Sequence, residues 1–406
     1  MNIGMVALGS IGDLIPFVRL AILLKSLGHD VLVFGDTQSA FFFEKNQIAF
    51  KPLVSLGKPE DIIEVSRFFI RKDWMIDMAN GLLPTLSDMD CFIVHPFATG
   101  VHPLLNARQL PWMGLMPSPG FIFSIYHPPI VQGMPNISRI IRIHPLVARF
   151  FFQMKRRSKR TRDCEIQYFE GARAIGDDSG VYWSPNYFSR FANIAFFSKR
   201  LSSIQKDWPK SRWIQGFIGD NTGMKPSDEV MRFMKGGKKP VVVTLGSNAS
   251  LEKKAIMNRV VQILLERDER ILVLGNGFDY LSSARVKTVD FEPLPAILPW
   301  ASFVVHHGGS CTLHDVMIAK KYSLVLPIAY DQFTNAFSLE RIGIAKSLLW
   351  NKTPEAIEKA ISWVQKRALN DDFPDMVKDI EMDVQYLEKT IANCVNRKED
   401  SLPTCM

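Results

Sequence analysis

The run Val304-Val305-His306-His307-Gly308-Gly309-Ser310-Cys311-Thr312 concentrates the chemistry of this chain. The apolar stretch 302–305 reads as a buried strand, and from Thr312 to Lys320 the spacing predicts a helix. A strand that opens into a helix N-terminus leaves backbone N–H groups unpaired and turns the positive end of the helix dipole outward. Glycines let the main chain approach an anion closely. The pattern points to a diphosphate seat. His306 would donate to a phosphate oxygen, the N–H groups of Gly309, Ser310 and Cys311 would cradle it, and Thr312 would add a hydroxyl. Dipole and histidine together offset the charge, so no metal is expected. The plain alternative is a packing turn with His306 as an ordinary core histidine. Two histidines and two glycines at one strand end argue against it. Further on, Leu324-Val325-Leu326-Pro327 predicts another strand, and Asp331-Gln332 set a carboxylate beside an amide. That pair can accept from and donate to the vicinal hydroxyls of a sugar.

A second candidate lies in Gly9-Ser10-Ile11-Gly12-Asp13. Asp13 stands where an acid would cap the helix expected over 16–27. It also stands where a general base would face a cleft, taking the proton of an attacking hydroxyl. Both readings stay open. Asp36, ending the second expected strand, suggests the ribose-reading acid of a dinucleotide-dependent oxidoreductase, but the G-x-G-x-x-G fingerprint is missing. Gly246-Ser247-Asn248, closing a later strand, offers a second phosphate contact through Ser247.

These residues need a scaffold that presents loops at strand ends. Apolar runs at 3–8, 31–34, 91–94, 112–116 and 180–184 read as strands, with a helix over 16–27 stopping at Gly28. A cluster of Gly, Asn, Thr, Pro and Ser from 219 to 228 marks a boundary. Alternation then restarts with a strand at 240–245, a helix at 254–267 and a strand at 271–274. The last helical pattern runs from 375 to 395. Such alternation implies parallel sheets flanked by helices, with ligands beyond the C-terminal strand ends. The expected organisation is a first domain over 1–219, a second over 220–374, and a final helix and tail over 375–406. The proline-dense stretch 117–162 looks like an insertion rather than another βα unit.

The chain has 406 residues and a net charge of +8, which invites an acidic partner. Its basic run 155–162, preceded by Phe150-Phe151-Phe152, suits peripheral contact with an anionic membrane surface. No recognition motif accompanies the charge, which argues against nucleic acid. Five cysteines are scattered without paired spacing, against a disulfide framework or zinc site. The opening 1–6 reads as a strand rather than a signal peptide. No apolar run reaches the roughly 20 residues of a membrane span. The expectation is a cytoplasmic protein, with peripheral contact at the inner membrane surface.

Taken together, the chain resembles the GT-B glycosyltransferases of family 1. Gly9 to Phe17 is similar to the first loop of bacterial members. Phe291-Glu292-Pro293-Leu294, His306-His307-Gly308-Gly309, Pro327 and Asp331-Gln332 match the donor-site signature in order and spacing. Ser118-Pro119, His127-Pro128-Pro129 and Asp207-Trp208-Pro209 are similar to the pattern of the rhamnosyltransferases of rhamnolipid synthesis. The resemblance implies an α/β fold of two Rossmann-like domains with parallel sheets facing an interdomain cleft. It implies inverting transfer of a hexosyl group from a TDP- or UDP-sugar to a hydroxyl of a hydrophobic, lipid-like acceptor, the nucleotide sugar being a co-substrate rather than a cofactor. By it, Asp13 is the base. Gly12, Ser247, Phe291, Leu294, His306, the turn Gly309 to Thr312, Asp331 and Gln332 hold the donor. Ser10, Ser118, Phe121 and His127 lie on the acceptor side. Cys311 replaces a small residue, and Lys320-Lys321-Tyr322 replaces the glycine that normally ends the donor helix. These departures motivate one other reading, a non-catalytic binding subunit of the same fold.

Overall fold

The computed structural model describes residues 1–54, 70–131, 133–178, 188–246, 251–275, 283–349, 352–370 and 372–396. Within them the chain builds two parallel sheets. The first comprises β1 (Asn2–Ala7), β2 (Asp30–Asp36), β3 (Ala49–Val54), β4 (Cys91–Val94), β5 (Trp112–Met116), β6 (Ala192–Ala195) and β7 (Arg212–Gln215), in the order β3-β2-β1-β4-β5-β6-β7. The second comprises β8 (Val241–Thr244), β9 (Ile271–Leu274), β10 (Val286–Val289), β11 (Val304–His306), β12 (Ser323–Val325) and β13 (Ala345–Ser347), in the order β10-β9-β8-β11-β12-β13. Central strands such as Cys91-Phe92-Ile93-Val94 are buried throughout, because helices cover both faces of a parallel sheet. Strand order reverses between β1 and β4 and again between β8 and β11. A crevice opens at such switch points beyond the strands' carboxyl ends. The Asp13 loop follows β1, and the histidine-glycine turn follows β11.

Several local expectations are corrected. The first helix spans Ile11–Ser26, so it begins one turn before Pro16. Ser10 starts it: its N–H and its hydroxyl both donate to Asp13 Oδ2 at 2.8 Å. Pro16 is tolerated inside because its missing N–H only leaves the Gly12 carbonyl without a helical partner. The donor-side helix, Ser310–Ile318, ends without glycine. Lys320 itself takes the left-handed conformation (φ 53°), and Lys321 N–H bonds back to Val316 O at 3.0 Å. A lysine thus fills a glycine position, at about 1–2 kcal/mol of backbone cost. The final helical pattern breaks into Val377–Ile380 and Val384–Asn396. Between them the chain runs extended beside Phe217, whose N–H donates to Ile380 O and whose carbonyl accepts from Met382 N–H. The last helix buries Leu387, Ile391 and Cys394 in the core of the first sheet.

The expected strand at 180–184 lies outside the described residues. Between β5 and β6 the chain forms helices Pro135–Ile141, Pro145–Arg156 and Lys159–Ile175. The domains are fastened through the Ser310–Ile318 helix, whose Cys311, Leu313 and Met317 belong to the same apolar core as β1 and the first helix. At its far side Arg19 and Asp315 form a two-pronged ion pair at 2.8 and 3.0 Å, their side chains only 4% and 7% exposed. Arg19 also donates to Ile218 O at 3.2 Å and lies 5.1 Å from the Phe217 ring centroid.

Candidate active site

Asp13 sits in the first turn of its helix, with Oδ2 occupied by Ser10 and its side chain 18% exposed. The cap and cleft readings are therefore compatible: one oxygen caps, the other faces outward. Toward that second oxygen, Oδ1, points His95 Nε2 at 3.8 Å. His95 follows β4, across the switch point from β1. It is fully buried, and its Nδ1 accepts from Phe97 N–H at 3.2 Å. Nε2 therefore carries the proton, and that N–H has no other partner. His102, buried and neutral, donates from Nε2 to the His95 carbonyl at 3.1 Å and holds the loop. His95 was not legible in the sequence: a lone histidine after a strand carries no motif. Phe121 and Phe97 pack edge-on around its ring at 5.5 and 4.9 Å, giving this side an aromatic wall.

On the facing domain the two histidines differ: His306 turns inward and His307 lines the turn. His306 is fully buried, and its Nδ1 accepts from Gly308 N–H at 3.1 Å. Burial, with the neighbouring His307, pushes its pKa down to about 3, so it is neutral and offers one N–H at most. It cannot supply the positive charge assigned to it. The ring beside the cradle is that of His307, whose Nε2 lies 2.5 Å from where a Cβ on Gly309 would stand. Any side chain there would strike the imidazole. Gly308 takes φ 89°, a conformation that favours glycine.

The remaining cradle side chains are partly spent on joining the domains. Ser310 Oγ donates to Pro117 O at 2.6 Å, so what it offers an anion is its backbone N–H. Cys311 is buried with Sγ 3.5 Å from Gly12 O, the carbonyl that Pro16 leaves without a helical partner. Its thiol points at the opposite domain, not into the phosphate turn. Thr312 is half-buried in the first helical turn. Ser247 lies outside the described residues. Phe291 is exposed and Leu294 half-buried. Lys45 reaches from the first domain to both Phe41 and Phe291, its Nζ 5.7 and 5.9 Å from the two ring centroids.

Asp331 is enclosed where the domains meet, although part of it still reaches the cleft. A Cβ on Gly120 would stand 2.6 Å from Asp331 Cβ, so only glycine lets the 118–120 loop close on it. Burial lifts the Asp331 carboxyl to about 6; hydrogen bonds from Ser118 and Asn335 oppose the rise, and the Asp13 charge adds to it. The two carboxylates therefore sense each other across the cleft. Ser118, expected on the acceptor, instead orients Asp331 and accepts from Gly120 N–H at 3.2 Å. Asn335 donates to Gly308 O and to Asp331 Oδ2, each at 3.0 Å, tying the histidine-glycine turn to the carboxylate. Gln332 does not both accept and donate toward a sugar. Its Oε1 accepts from Ile328 N–H and Ala329 N–H at 2.9 and 3.0 Å, which leaves its amide nitrogen as the group it can present. His127 lies instead beside Arg142 and Arg341, and burial and those cations push it down to about 4. Among the described residues no group of three or more His, Cys, Asp or Glu could hold a metal ion.

Two parallel-sheet domains meeting at paired switch points, with a helix N-terminus and carboxylates converging between them, define a GT-B glycosyltransferase fold. Residues 242–399 match the glycosyltransferase family 28 C-terminal domain. The chain is 25% identical to O-mycaminosyltylonolide 6-deoxyallosyltransferase of Streptomyces fradiae, over 85% of each chain. It is 22% identical to sterol 3-beta-glucosyltransferase UGT80A2 of Arabidopsis thaliana over 82% of this chain, which spans 55% of that relative. It spans only 25% of the Candida albicans sterol 3-beta-glucosyltransferase, at 24% identity over 88% of this chain. Among solved structures, the spinosyn forosaminyltransferase SpnP superposes with a TM-score of 0.68, at 13% identity and 97% and 99% coverage. The spinosyn rhamnosyltransferase SpnG complexed with thymidine diphosphate gives 0.66, at 15% identity and 96% and 100% coverage. The chain thus has the fold of the GT-B glycosyltransferases, and residues 242–399 match a family 28 C-terminal domain.

Proposed function

We propose that this enzyme transfers a hexosyl group, with inversion, from a nucleotide-diphosphate sugar to a hydroxyl of a hydrophobic small-molecule or lipid-like acceptor. The observation that carries the reading is the meeting of Asp13 with Asp331, Asn335 and the Ser310 helix across the cleft. Asp13 Oδ1 takes the acceptor hydroxyl's proton as that oxygen bonds to the anomeric carbon. The bond from that carbon to the diphosphate oxygen breaks, and its electron pair leaves with the nucleotide. The growing negative charge meets the N–H groups of Gly309, Ser310 and Cys311, the helix dipole and the His307 side. Donors fixed in advance around a leaving group supply a large part of such catalysis. Asp331 accepts from sugar hydroxyls, and the Gln332 amide nitrogen donates to them.

Phe97, Phe121 and the aromatic residues beyond them favour an apolar acceptor. The relatives named for O-mycaminosyltylonolide and sterol acceptors support that class, and the thymidine diphosphate complex makes TDP-sugars the first donors to test. We also propose a cytoplasmic enzyme in contact with the inner membrane surface. Among the described residues no helix is long and apolar enough to cross a membrane. Asp13→Asn tests the reading. Transfer should fall on the order of 10²–10⁴-fold, the usual worth of a positioned base, while TDP affinity is retained. Parallel loss of both would make Asp13 a helix cap only.

A further inference from the structure

Between Asp90 and Asp163 the chain contains no acidic residue, while nine lysines and arginines fall within 139–162. With a net charge of +8, this one segment carries the whole positive excess of the protein. It folds into the helices between β5 and β6; its first part meets the second domain, where Arg142 lies 4.2 Å from the Phe337 ring centroid, and its later part is exposed. The helix Pro145–Arg156 buries Ala148. Leu146, Phe150 and Met154 recur every fourth residue and so form one ridge. They are 65%, 64% and 57% exposed, and Ile143, just before the helix, is 74% exposed. Scattered exposed apolar side chains are ordinary, but three aligned ones of this size, with a fourth just ahead of them, mark a contact surface. Arg149 stands on the adjoining face of the helix, and Arg157 and Lys159 follow in the next turn, all exposed.

An apolar ridge bordered by cations fits an interface between water and anionic lipid, where the ridge enters the acyl boundary and the cations meet headgroups. A second copy of this chain would bring two such cationic borders together, which Coulomb repulsion opposes. The ridge is also joined to the cleft. Phe121 lies 5.5 Å from His95, and two residues on, exposed Phe123 packs edge-on at 5.7 Å against Phe152 of the same helix. Aromatic surface thus runs from the proposed base to the helix. We infer that the Pro145–Arg156 helix seats the protein on an anionic bilayer, and that a membrane-dissolved acceptor enters the cleft along Phe123 and Phe121. The entry route rests on the proposed transfer to a hydrophobic acceptor; the seating does not.

The test is cosedimentation of the full chain with vesicles of phosphatidylcholine alone or with about 30% phosphatidylglycerol, comparing wild type with Leu146→Ser/Phe150→Ser/Met154→Ser. These side chains are exposed, so thermal midpoint and circular dichroism should be unchanged. Wild type should bind the anionic vesicles, release as salt screens the charge, and bind neutral vesicles weakly. The triple variant should bind at least about tenfold less, as loss of buried apolar area requires. It should keep wild-type turnover on a short, water-soluble acceptor and lose turnover on a long-chain acceptor embedded in vesicles. Equal binding to neutral and anionic vesicles, or equal binding by variant and wild type, would overturn the inference. So would light scattering that shows a dimer dissolved by the triple substitution, since a second copy would then cover the ridge. Intact vesicle binding without transfer to any acceptor would refute the transfer reading and leave the seating standing.

Discussion

Removing one partner of the buried Arg19–Asp315 pair should be far more damaging than removing both. The guanidinium and carboxylate meet at 2.8 and 3.0 Å with almost no exposure. At a separation of about 4 Å between charge centres and an effective dielectric constant near 20, their attraction is about 4 kcal/mol. Burying both ions cancels much of that gain, so the pair adds little net stability. Asp315→Ala is different. Arginine does not deprotonate in proteins, so Arg19 would keep a buried charge, with the Ile218 carbonyl, the Phe217 ring and the more distant Asp220 charge left to it. Breaking such a pair costs about 3–5 kcal/mol. For a domain of this size that lowers the thermal midpoint by roughly 10 °C. The double variant Arg19→Met/Asp315→Leu should recover most of the loss, since apolar replacement of a buried pair is often neutral. Thermal and urea unfolding of wild type, both single variants and the double variant close the cycle. A loss below about 1 kcal/mol for Asp315→Ala, or a double variant as unstable as the single, would refute the account of a dry, paired interface.

Donor affinity should rise as pH increases through about 6, because Asp331 must ionise to accept sugar hydroxyls and its carboxyl sits near that value; nucleotide-sugar titration from pH 5 to 8 should show the step, and Asp331→Asn should bind weakly without it. The same raised pKa means that Asp331 favours the folded state most below the ordinary carboxylate range and loses that contribution as pH climbs through about 6. His102, His306 and His314 are buried with pKa values pushed down to about 3. Their unfolded forms take up protons from pH 6.5 downward, so stability should fall between pH 6.5 and about 3, by up to about 1.4 kcal/mol per histidine per pH unit. Thermal midpoints that stay flat from pH 6.5 to 4.5 would contradict that. His95→Ala should lower kcat with TDP affinity retained, since the ring whose Nε2 lies 3.8 Å from Asp13 Oδ1 packs against the proposed base, and His95→Gln should restore part of the rate. An unchanged kcat would reduce His95 to packing.

The histidine-glycine turn was legible because its ingredients are adjacent in sequence: a strand, two glycines and a helix start are local features. Asp13 was legible for the same reason, including its capping role. Strand phase alone does not say which side chain of a neighbouring pair turns inward. His306 ends β11 and turns in; His307 begins the turn and meets Gly309. That Gln332 presents only its amide nitrogen was not legible, because its oxygen braces a loop only a few residues back, a use no motif records. β3 carries Pro52 on an edge strand, which blurs the strand pattern, and the last helix broke where Phe217 pulled the chain extended.

What the sequence determined by itself was the periodic code: alternating strands and helices, two switch-point loops rich in glycine, Asp13 in the first of them, Asp331 one strand beyond the second, and an acid-free basic segment. Each depends on neighbours a few residues apart. Tertiary structure alone decided that His95 faces Asp13, that Asn335 ties the turn to Asp331, and that Arg19 holds the donor helix through Asp315. Those pairings join segments distant along the chain, and only the packing of one domain against the other sets the few ångströms on which their chemistry depends.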